Sequence, residues 1–160
     1  MGLDCLVEEV TPPSVTEVRS LVRVKALQHW QSDWENSHNS FRYRVDPVLC
    51  AVPRRSGSRA QQVLQTRLRL GVLKTRSWRR LVLKEQGEAC DCGSVETVQH
   101  ILFDCPLYAR ARAGVADKIG CPLGHNALLG RKSTSKMPYL SRLRLAVEFL
   151  RETGVLERLR

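Results

Sequence analysis

The chain has 160 residues, 42% of them hydrophobic, and a formal net charge of +10 at pH 7. This length fits a single domain, or one small domain with arms, and the composition allows a modest core. Apolar runs stay well short of the ~18 residues of a membrane-spanning helix, and the N-terminus lacks the basic and apolar regions of a signal peptide. We therefore expect an intracellular protein, nuclear or cytoplasmic, neither secreted nor membrane-bound, whose six cysteines indicate metal binding before disulfides.

The first 53 residues divide into a linker and a helix-bearing segment. Residues 1–13 are predicted to be a linker or the stub of an upstream domain, and residues 14–53 to hold a tryptophan-bearing helix followed by a linker. Ser14 or Thr16 can cap this helix, which should run to about Asn36.

Two tryptophans share one side of this first helix. Trp30 and Trp34 lie in a stripe with Leu27, so we interpret them as core or interface anchors rather than as platforms for stacked bases. After the helix, the segment 41–45 alternates apolar and basic residues, which predicts a short strand or an extended arm.

Residues 54–87 are predicted to form two basic helices. The first should be capped by Ser58 and ended by Gly71, and the second capped by Thr75 and ended by Gly87. Trp78, a third candidate anchor, is expected to face the core of the protein with Leu81 and Val82, while arginines and lysines of both helices face outward.

These basic helices carry the charge surplus of the whole chain. Ten basic residues and no acidic residue lie between positions 54 and 84. Such a cluster favours the phosphate backbone of RNA or DNA as a partner, and the alternative is a solvated face that only keeps the protein soluble. The candidate nucleic-acid contacts are Arg55, Arg59, Arg67, Arg69, Lys74, Arg76, Arg79, Arg80 and Lys84.

Residues 88–120 are predicted to form a zinc-knuckle unit. Three thiolates and one imidazole within sixteen residues form the donor set that a tetrahedral zinc ion, Zn2+, prefers. The candidate ligands are Cys90, Cys92, His100 and Cys105. The one-residue gap between the first two thiols is shorter than usual, but Gly93 allows the backbone to fold back so that its amides approach the sulfurs. The alternative is that these are ordinary buried side chains.

Helices should flank the candidate ligands. A short helix over 96–103 would present Val98, Ile101 and Leu102 to the core, and Pro106 can start the next helix, which Gly120 should close.

Residues 121–160 are predicted to hold a basic loop at 131–136 and a C-terminal helix at about 138–153. Cys121 or His125 could replace a weak ligand of the cluster, but two ligands alone do not make a structural site. We therefore expect a mostly α, small helical domain organised around a Cys3His zinc knuckle, with helical N- and C-terminal arms.

The order of these elements resembles the C-terminal tail of the polyprotein of non-LTR retrotransposons of the Jockey and related clades. That tail has a Trp-x-x-x-Trp helix, a basic Arg-Leu-Arg helix and a Cys-x-Cys-Gly…Glu-Thr…His…Cys-Pro-x-Tyr…Arg knuckle. The matching residues are Trp30, Trp34, Thr66 to Gly71, Cys90 to Gly93, Glu96, Thr97, His100, Cys105, Pro106, Tyr108 and Arg112, and the closing helix of the family is similar to Phe149 to Gly154. Where the family often has Gly-His after its basic helix, this chain has Gly71-Val72.

The resemblance implies a zinc-binding, nucleic-acid-binding tail of a reverse transcriptase. The full-length family protein is an RNA-directed DNA polymerase, but this sequence has neither the Asp-Asp pair of that enzyme nor the spaced carboxylates with which an RNase H holds two metal ions. We therefore expect a truncated, non-catalytic remnant. The alternative is a zinc-stapled interaction module that docks on the parent polymerase or RNase H domain.

The ligand set also argues against an enzyme. Four protein ligands leave no open position on the metal for water or a substrate. Glu96 is expected to complement a helix dipole rather than to act as a base.

Overall fold

The computed structural model describes residues 12–38, 40–49, 57–133 and 135–159, and the protein is mostly helical across these ranges. The α-helices are α1 (Val15–Asn36), α2 (Phe41–Val45), α3 (Arg59–Leu70), α4 (Arg76–Leu83), α5 (Ala109–Ile119), α6 (His125–Leu129), α7 (Tyr139–Glu152) and α8 (Val155–Arg158). A π turn (His100–Asp104) and a 3-10 turn (Pro106–Tyr108) precede α5. None of the helices in these ranges is long and apolar enough to cross a membrane.

The predicted helix starts are confirmed where a hydroxyl side chain caps them. The hydroxyls of Ser14, Ser58 and Thr75 accept hydrogen bonds from the backbone N–H groups of the first turns of α1, α3 and α4. Each cap satisfies a donor that has no partner inside its helix, which stabilises the helix by about 1 kcal/mol.

The predicted helix ends are confirmed at two glycines and wrong at a third position. Gly71 ends α3 and Gly120 ends α5, both in the left-handed conformation. By contrast, α4 ends at Leu83, and Lys84 adopts the left-handed conformation with φ of +59°. Gly87 therefore lies beyond the end of α4.

The strand or extended arm predicted for residues 41–45 is instead the helix α2. The hydroxyl of Ser40 accepts a hydrogen bond from the Tyr43 N–H at 3.1 Å and caps the helix. Val45 at its end is fully buried. The alternation of apolar and basic residues over five positions was too short to distinguish a strand from a helix whose end is buried.

The hydrophobic core is built around α7, which packs against α5, α6 and α8. Its buried side chains include Leu143, Ala146, Phe149 and Leu150. The cluster around them also takes in buried residues of α2, α3, the π turn and α8. The predicted C-terminal helix is thus confirmed, and it connects the segments on both sides of the metal-ligand region.

Arg142 is a buried arginine at the centre of this core. Its guanidinium donates hydrogen bonds to backbone carbonyls only, those of Met137, Asn126, Ala127 and Gly130. Since several of these carbonyls come from the short helix α6 and the residue that follows it, Arg142 fixes α6 against α7 and satisfies groups that would otherwise be unpaired.

The prediction that the tryptophan side of α1 packs into the core is wrong for most of the helix. None of its residues is buried, and Trp30 is 61% exposed. Trp34 is half-buried and donates a hydrogen bond from Nε1 to the Asp46 carbonyl at 2.7 Å. A role for Trp30 as an interface anchor stays a prediction.

The orientation predicted for α4 is also wrong, because its apolar side faces solvent. Leu81 and Val82 are 73% and 51% exposed, and Trp78 is only half-buried. The side chains of Arg76 and Arg79 instead bond to the rest of the protein, at the Ala89 and Arg158 carbonyls. The helix is amphipathic as expected, but its arginine side faces the rest of the protein and its apolar side faces solvent, so that arginine contacts hold it in place.

This arrangement predicts opposite responses to two leucine truncations. Leu143→Ala removes a side chain that is 1% exposed and should lower the free energy of unfolding by about 2–5 kcal/mol, because it leaves a cavity. Leu81→Ala should change it by less than about 0.5 kcal/mol. Urea unfolding followed by circular dichroism measures both, and equal losses would contradict the orientation of α4.

Candidate metal centre

A tight hairpin at residues 88–96 presents the first two candidate ligands. The Cys90 N–H donates to the Ser94 carbonyl at 2.7 Å, and the Gly93 N–H donates to the Cys90 carbonyl at 2.8 Å. Gly93 has φ of +92°, a conformation that a residue with a side chain adopts only with strain. The turn predicted from this glycine is confirmed, and it accommodates two cysteines separated by a single residue.

The other two ligands lie at the ends of the π turn. The Cys105 N–H donates to the His100 carbonyl at 2.7 Å, which closes the wide turn between them. Ile101 and Leu102 inside the turn are buried in the core, as predicted. The short helix expected over 96–103 is confirmed in kind, but it begins at Val98 and continues as a π turn to Asp104. Core packing fixes the direction in which His100 and Cys105 point.

The four predicted ligand atoms converge on one point. The ligand atoms of Cys90, Cys92, His100 and Cys105 all lie within 4.8 Å of one another. The sulfurs of Cys90 and Cys105 are 3.8 Å apart, and the Cys92 sulfur lies 3.1 Å from His100 Nε2. The predicted Cys3His group is confirmed as a cluster that could hold a metal ion.

Two thiols of the cluster, those of Cys92 and Cys105, differ in acidity. Hydrogen bonds from the Ser94 backbone and side chain lower the pKa of the Cys92 thiol to about 6. Burial raises the pKa of the Cys105 thiol to about 11. Near neutral pH Cys92 is therefore already a thiolate without a metal, whereas a metal ion must displace a proton from Cys105.

Glu96 connects the metal-ligand hairpin to the rest of the domain. It is 1% exposed, and its two carboxylate oxygens accept from the Arg76 N–H and from the Arg158 guanidinium, each at 3.0 Å. The Arg76 guanidinium in turn bonds the Ala89 carbonyl and the Asp91 carboxylate at 2.5 and 2.7 Å. Glu96 thus lies at the start of α4, where a negative charge also complements the helix dipole.

The contact between Glu96 and Arg158 is the structural link that the sequence did not predict. The two residues are 62 positions apart, so no local pattern joins them. The one sequence feature that hinted at a structural role for Glu96 was its position as an acidic residue between the candidate metal ligands Cys92 and His100 in a strongly basic chain.

Cys121 and His125 do not join the cluster. Across the described ranges, the one group of three or more metal-ligating side chains in close proximity is the Cys3His group. The His125 ring packs between Phe41 and Phe103, with ring centroids 5.3 and 4.2 Å apart. Burial and the charge of Arg44 lower the pKa of His125, which favours a neutral imidazole between the two phenylalanine rings.

The predicted nucleic-acid contacts differ in how far their side chains are exposed to solvent. Arg55 lies outside the described residues. Exposed side chains belong to Arg59, Arg67, Arg80 and Lys84, and half-buried ones to Lys74, Arg76 and Arg79. Arg80 also pairs with Glu88. The solvent-facing cations of this segment are therefore fewer than its sequence suggests.

The outward position predicted for Arg69 is wrong. Arg69 is 8% exposed and pairs with the buried carboxylate of Asp46. It also donates to the Leu129 carbonyl at 3.1 Å and lies over the Tyr139 ring. Through these contacts Arg69 holds α2, α3 and α6 together. Moving its guanidinium away to bind a ligand would leave the Asp46 carboxylate as an uncompensated buried charge, so Arg69 does not offer a contact to a ligand.

Comparisons with known proteins found no relative. No protein-family model, no curated protein and no solved structure matches this chain. What the chain does must therefore be inferred from its own site and surface.

The cluster predicts binding of one divalent metal ion by the purified chain. Cys90→Ser and His100→Ala should each lower the bound metal to well below one ion per chain, because each removes one of four ligands. Cys121→Ser is the matched control and should leave metal content unchanged. Elemental analysis after gel filtration measures this, and equal metal content in all variants would contradict the site.

The acidities of the free ligands predict the direction of the pH dependence. Metal binding displaces at least the Cys105 proton across the neutral range, since the pKa of that thiol is about 11. The association constant should therefore rise about tenfold or more per pH unit between about pH 6 and pH 8, and acid should release the metal. Competition with a chelator of known affinity measures this, and a flat profile would contradict thiolate ligation.

Proposed function

We propose that this chain is a non-catalytic zinc-binding module that binds the phosphate backbone of RNA or DNA. The observation that carries the proposal is the convergence of three sulfurs and one imidazole nitrogen within 4.8 Å. A soft, nitrogen-and-sulfur donor set of this kind favours Zn2+ over the oxygen-preferring Mg2+ and Ca2+.

The spacing of the cluster supports zinc. A tetrahedral ion with Zn–S bonds of about 2.3 Å holds its sulfurs about 3.8 Å apart. The Cys90 and Cys105 sulfurs are 3.8 Å apart. With the Cys92 sulfur and His100 Nε2, the coordination would be complete from protein side chains, which is typical of a structural zinc site and not of a catalytic one.

The charge of the chain supports a polyanionic partner. The net charge is +10, and four of the predicted contacts, Arg59, Arg67, Arg80 and Lys84, are exposed. Cations of this kind bind phosphates largely without regard to base sequence. The resemblance to the tail of Jockey-like reverse transcriptases agrees with this function and with an intracellular setting.

A salt series tests the nucleic-acid proposal. If the four exposed cations each contact one phosphate, the logarithm of the association constant should fall against the logarithm of salt concentration with a slope of about −2.8 for a single strand and about −3.6 for duplex DNA. Fluorescence anisotropy with short single-stranded RNA and duplex DNA measures the slope. The double variant Arg59→Glu with Arg67→Glu should bind at least about tenfold more weakly.

The matched control changes the same charge on another helix. Arg144→Glu with Arg151→Glu alters two exposed arginines of α7 and should weaken binding less than the α3 variant does. A slope near zero, or binding that both double variants weaken equally, would count against a specific basic surface on α3 and α4.

A second candidate function is docking on another protein, such as a parent polymerase or RNase H domain. The exposed Leu81 and Val82 beside the half-buried Trp78 favour it, because contiguous exposed apolar side chains are typical of interfaces. Binding through this face should persist at high salt and fall with Leu81→Asp, whereas backbone binding should weaken as salt rises.

A further inference from the structure

A second cluster of charged side chains lies outside the metal centre, where α2, α3, α6 and α7 meet. Its centre is the carboxylate of Asp46, which follows α2 and forms ion pairs with Arg42 and Arg69. The N–H of Arg131 donates to the same carboxylate at 2.8 Å, and the buried guanidinium of Arg142 lies within its electrostatic reach. We call these five residues the Asp46 cluster.

The Asp46 cluster holds four guanidinium groups around one carboxylate. Both oxygens of that carboxylate are engaged, because Oδ2 pairs with Arg42 and Arg69 and Oδ1 accepts from the Arg131 N–H. Burial and the charges of Arg69 and Arg131 lower the pKa of Arg42, as expected where like charges are brought together away from water. Since charges removed from water are costly unless they are paired, a bound anion would stabilise this cluster.

Arg42 lies at the solvent-facing edge of the cluster. Its side chain is 27% exposed, against 7% for that of Asp46, so an anion can approach Arg42 while the pair of Asp46 and Arg69 stays inside. Within the described ranges the ion-pair contact of Arg42 runs from Nη1 to Asp46 at 3.2 Å, although a guanidinium carries five N–H donors. Arg42 therefore has donors to offer to an anion.

The backbone after α6 is held tightly against the end of α2. The side-chain amide of Asn126 donates to the carbonyls of Val45 and Lys132 at 3.0 and 2.7 Å. A Cβ atom on Gly130 would lie 2.6 Å from the Val45 carbonyl oxygen, so this close approach requires glycine. These contacts fix Arg131 beside the Asp46 carboxylate before any ligand arrives, which lowers the entropic cost of binding.

We propose that the Asp46 cluster binds one terminal or free phosphate group through the guanidiniums of Arg42 and Arg131. Such a group carries close to two negative charges at neutral pH, so it compensates more of the excess positive charge than a carboxylate or a backbone phosphodiester does. Its oxygens also match the forked donors of guanidinium groups. Arg69 stays paired with Asp46 and acts as a positioning residue.

Two sources would supply this phosphate group. One is the phosphorylated end of an RNA or DNA strand, in which case the inference rests on the proposed nucleic-acid binding and adds recognition of a strand end to it. The other is inorganic phosphate, which needs no nucleic acid. The metal centre has no part in either case, because none of its ligands belongs to the Asp46 cluster.

Isothermal titration calorimetry of the purified chain with inorganic phosphate tests the site directly, with the ionic strength held constant by chloride. We expect one phosphate per chain, and at least about tenfold weaker binding of acetate. Arg42→Gln removes one of the two contacting guanidiniums and should weaken phosphate binding at least tenfold. The matched control, Arg110→Gln, removes an exposed guanidinium of α5 and should leave phosphate binding unchanged.

Two milder variants test the same contacts with less risk to the fold. Arg42→Lys keeps a positive charge near Asp46 but replaces the forked donors by one ammonium group, so it should bind phosphate several-fold more weakly. Arg131→Gln removes the guanidinium and keeps the backbone N–H that bonds Asp46, and it should weaken binding at least tenfold. Circular dichroism checks that each variant is folded.

A pair of matched oligonucleotides distinguishes the two sources. Fluorescence anisotropy compares one short single-stranded RNA with a 5′-phosphate and with a 5′-hydroxyl. If the site takes the end of a strand, the phosphorylated RNA should bind at least tenfold more tightly, and Arg42→Gln should remove the difference. Equal binding of both strands, together with calorimetric binding of inorganic phosphate, assigns the site to the free anion.

Two outcomes would overturn the inference. The first is a chain that binds inorganic phosphate no more tightly than acetate. The second is phosphate binding that Arg42→Gln, Arg131→Gln and Arg110→Gln affect equally while all three variants are folded. RNA binding without phosphate binding would overturn this inference and leave the proposed function intact, and phosphate binding without RNA binding would do the reverse.

Discussion

The convergence of four side chains from the hairpin and the π turn is the constraint on which the rest of the structure depends. The hairpin ends at residue 96 and the π turn begins at His100, but neither segment is a long regular element that could hold its position alone. The ligand atoms of the cluster meet within 4.8 Å, and buried residues of the π turn, Ile101 and Leu102, extend this point into the core. A bound metal ion would therefore stabilise the junction between the hairpin and the helices α5 and α7.

Buried charges perform the same connecting role elsewhere in the domain. Glu96 joins the hairpin to α4 and α8, Asp46 joins α2 to α3 through Arg69, and Arg142 joins α7 to α6 through the Ala127 carbonyl. Several arginines of the segment that looks like a uniform basic surface in the sequence therefore serve to hold helices together. This division explains how a chain with a charge of +10 folds compactly, because some of its arginines are neutralised or hydrogen-bonded inside the domain. The exposed cations that are left support the proposed binding of a polyanion.

Local chemistry made part of this structure predictable from sequence. Serine and threonine caps, left-handed glycines and the spacing of the metal ligands each act over a few residues, and their predictions were confirmed at Ser58, Gly71 and the Cys3His group. The orientation of α4 was not predictable in this way. Its pattern defines an apolar side and a basic side, but the contacts of Arg76 with Glu96, which lies twenty residues further along the chain, decide which side meets the protein. The burial of Arg69 likewise depends on Asp46, which follows the end of α2 and is distant from Arg69 in the sequence.

The central claim is that one metal ion joins Cys90, Cys92, His100 and Cys105, and X-ray absorption spectroscopy of the purified chain at the zinc edge tests it most directly. The account predicts a four-coordinate ion with three sulfur neighbours at about 2.3 Å and one nitrogen neighbour at about 2.0–2.1 Å. A first shell made of oxygen and nitrogen alone, or a chain purified without stoichiometric zinc from zinc-replete medium, would contradict it.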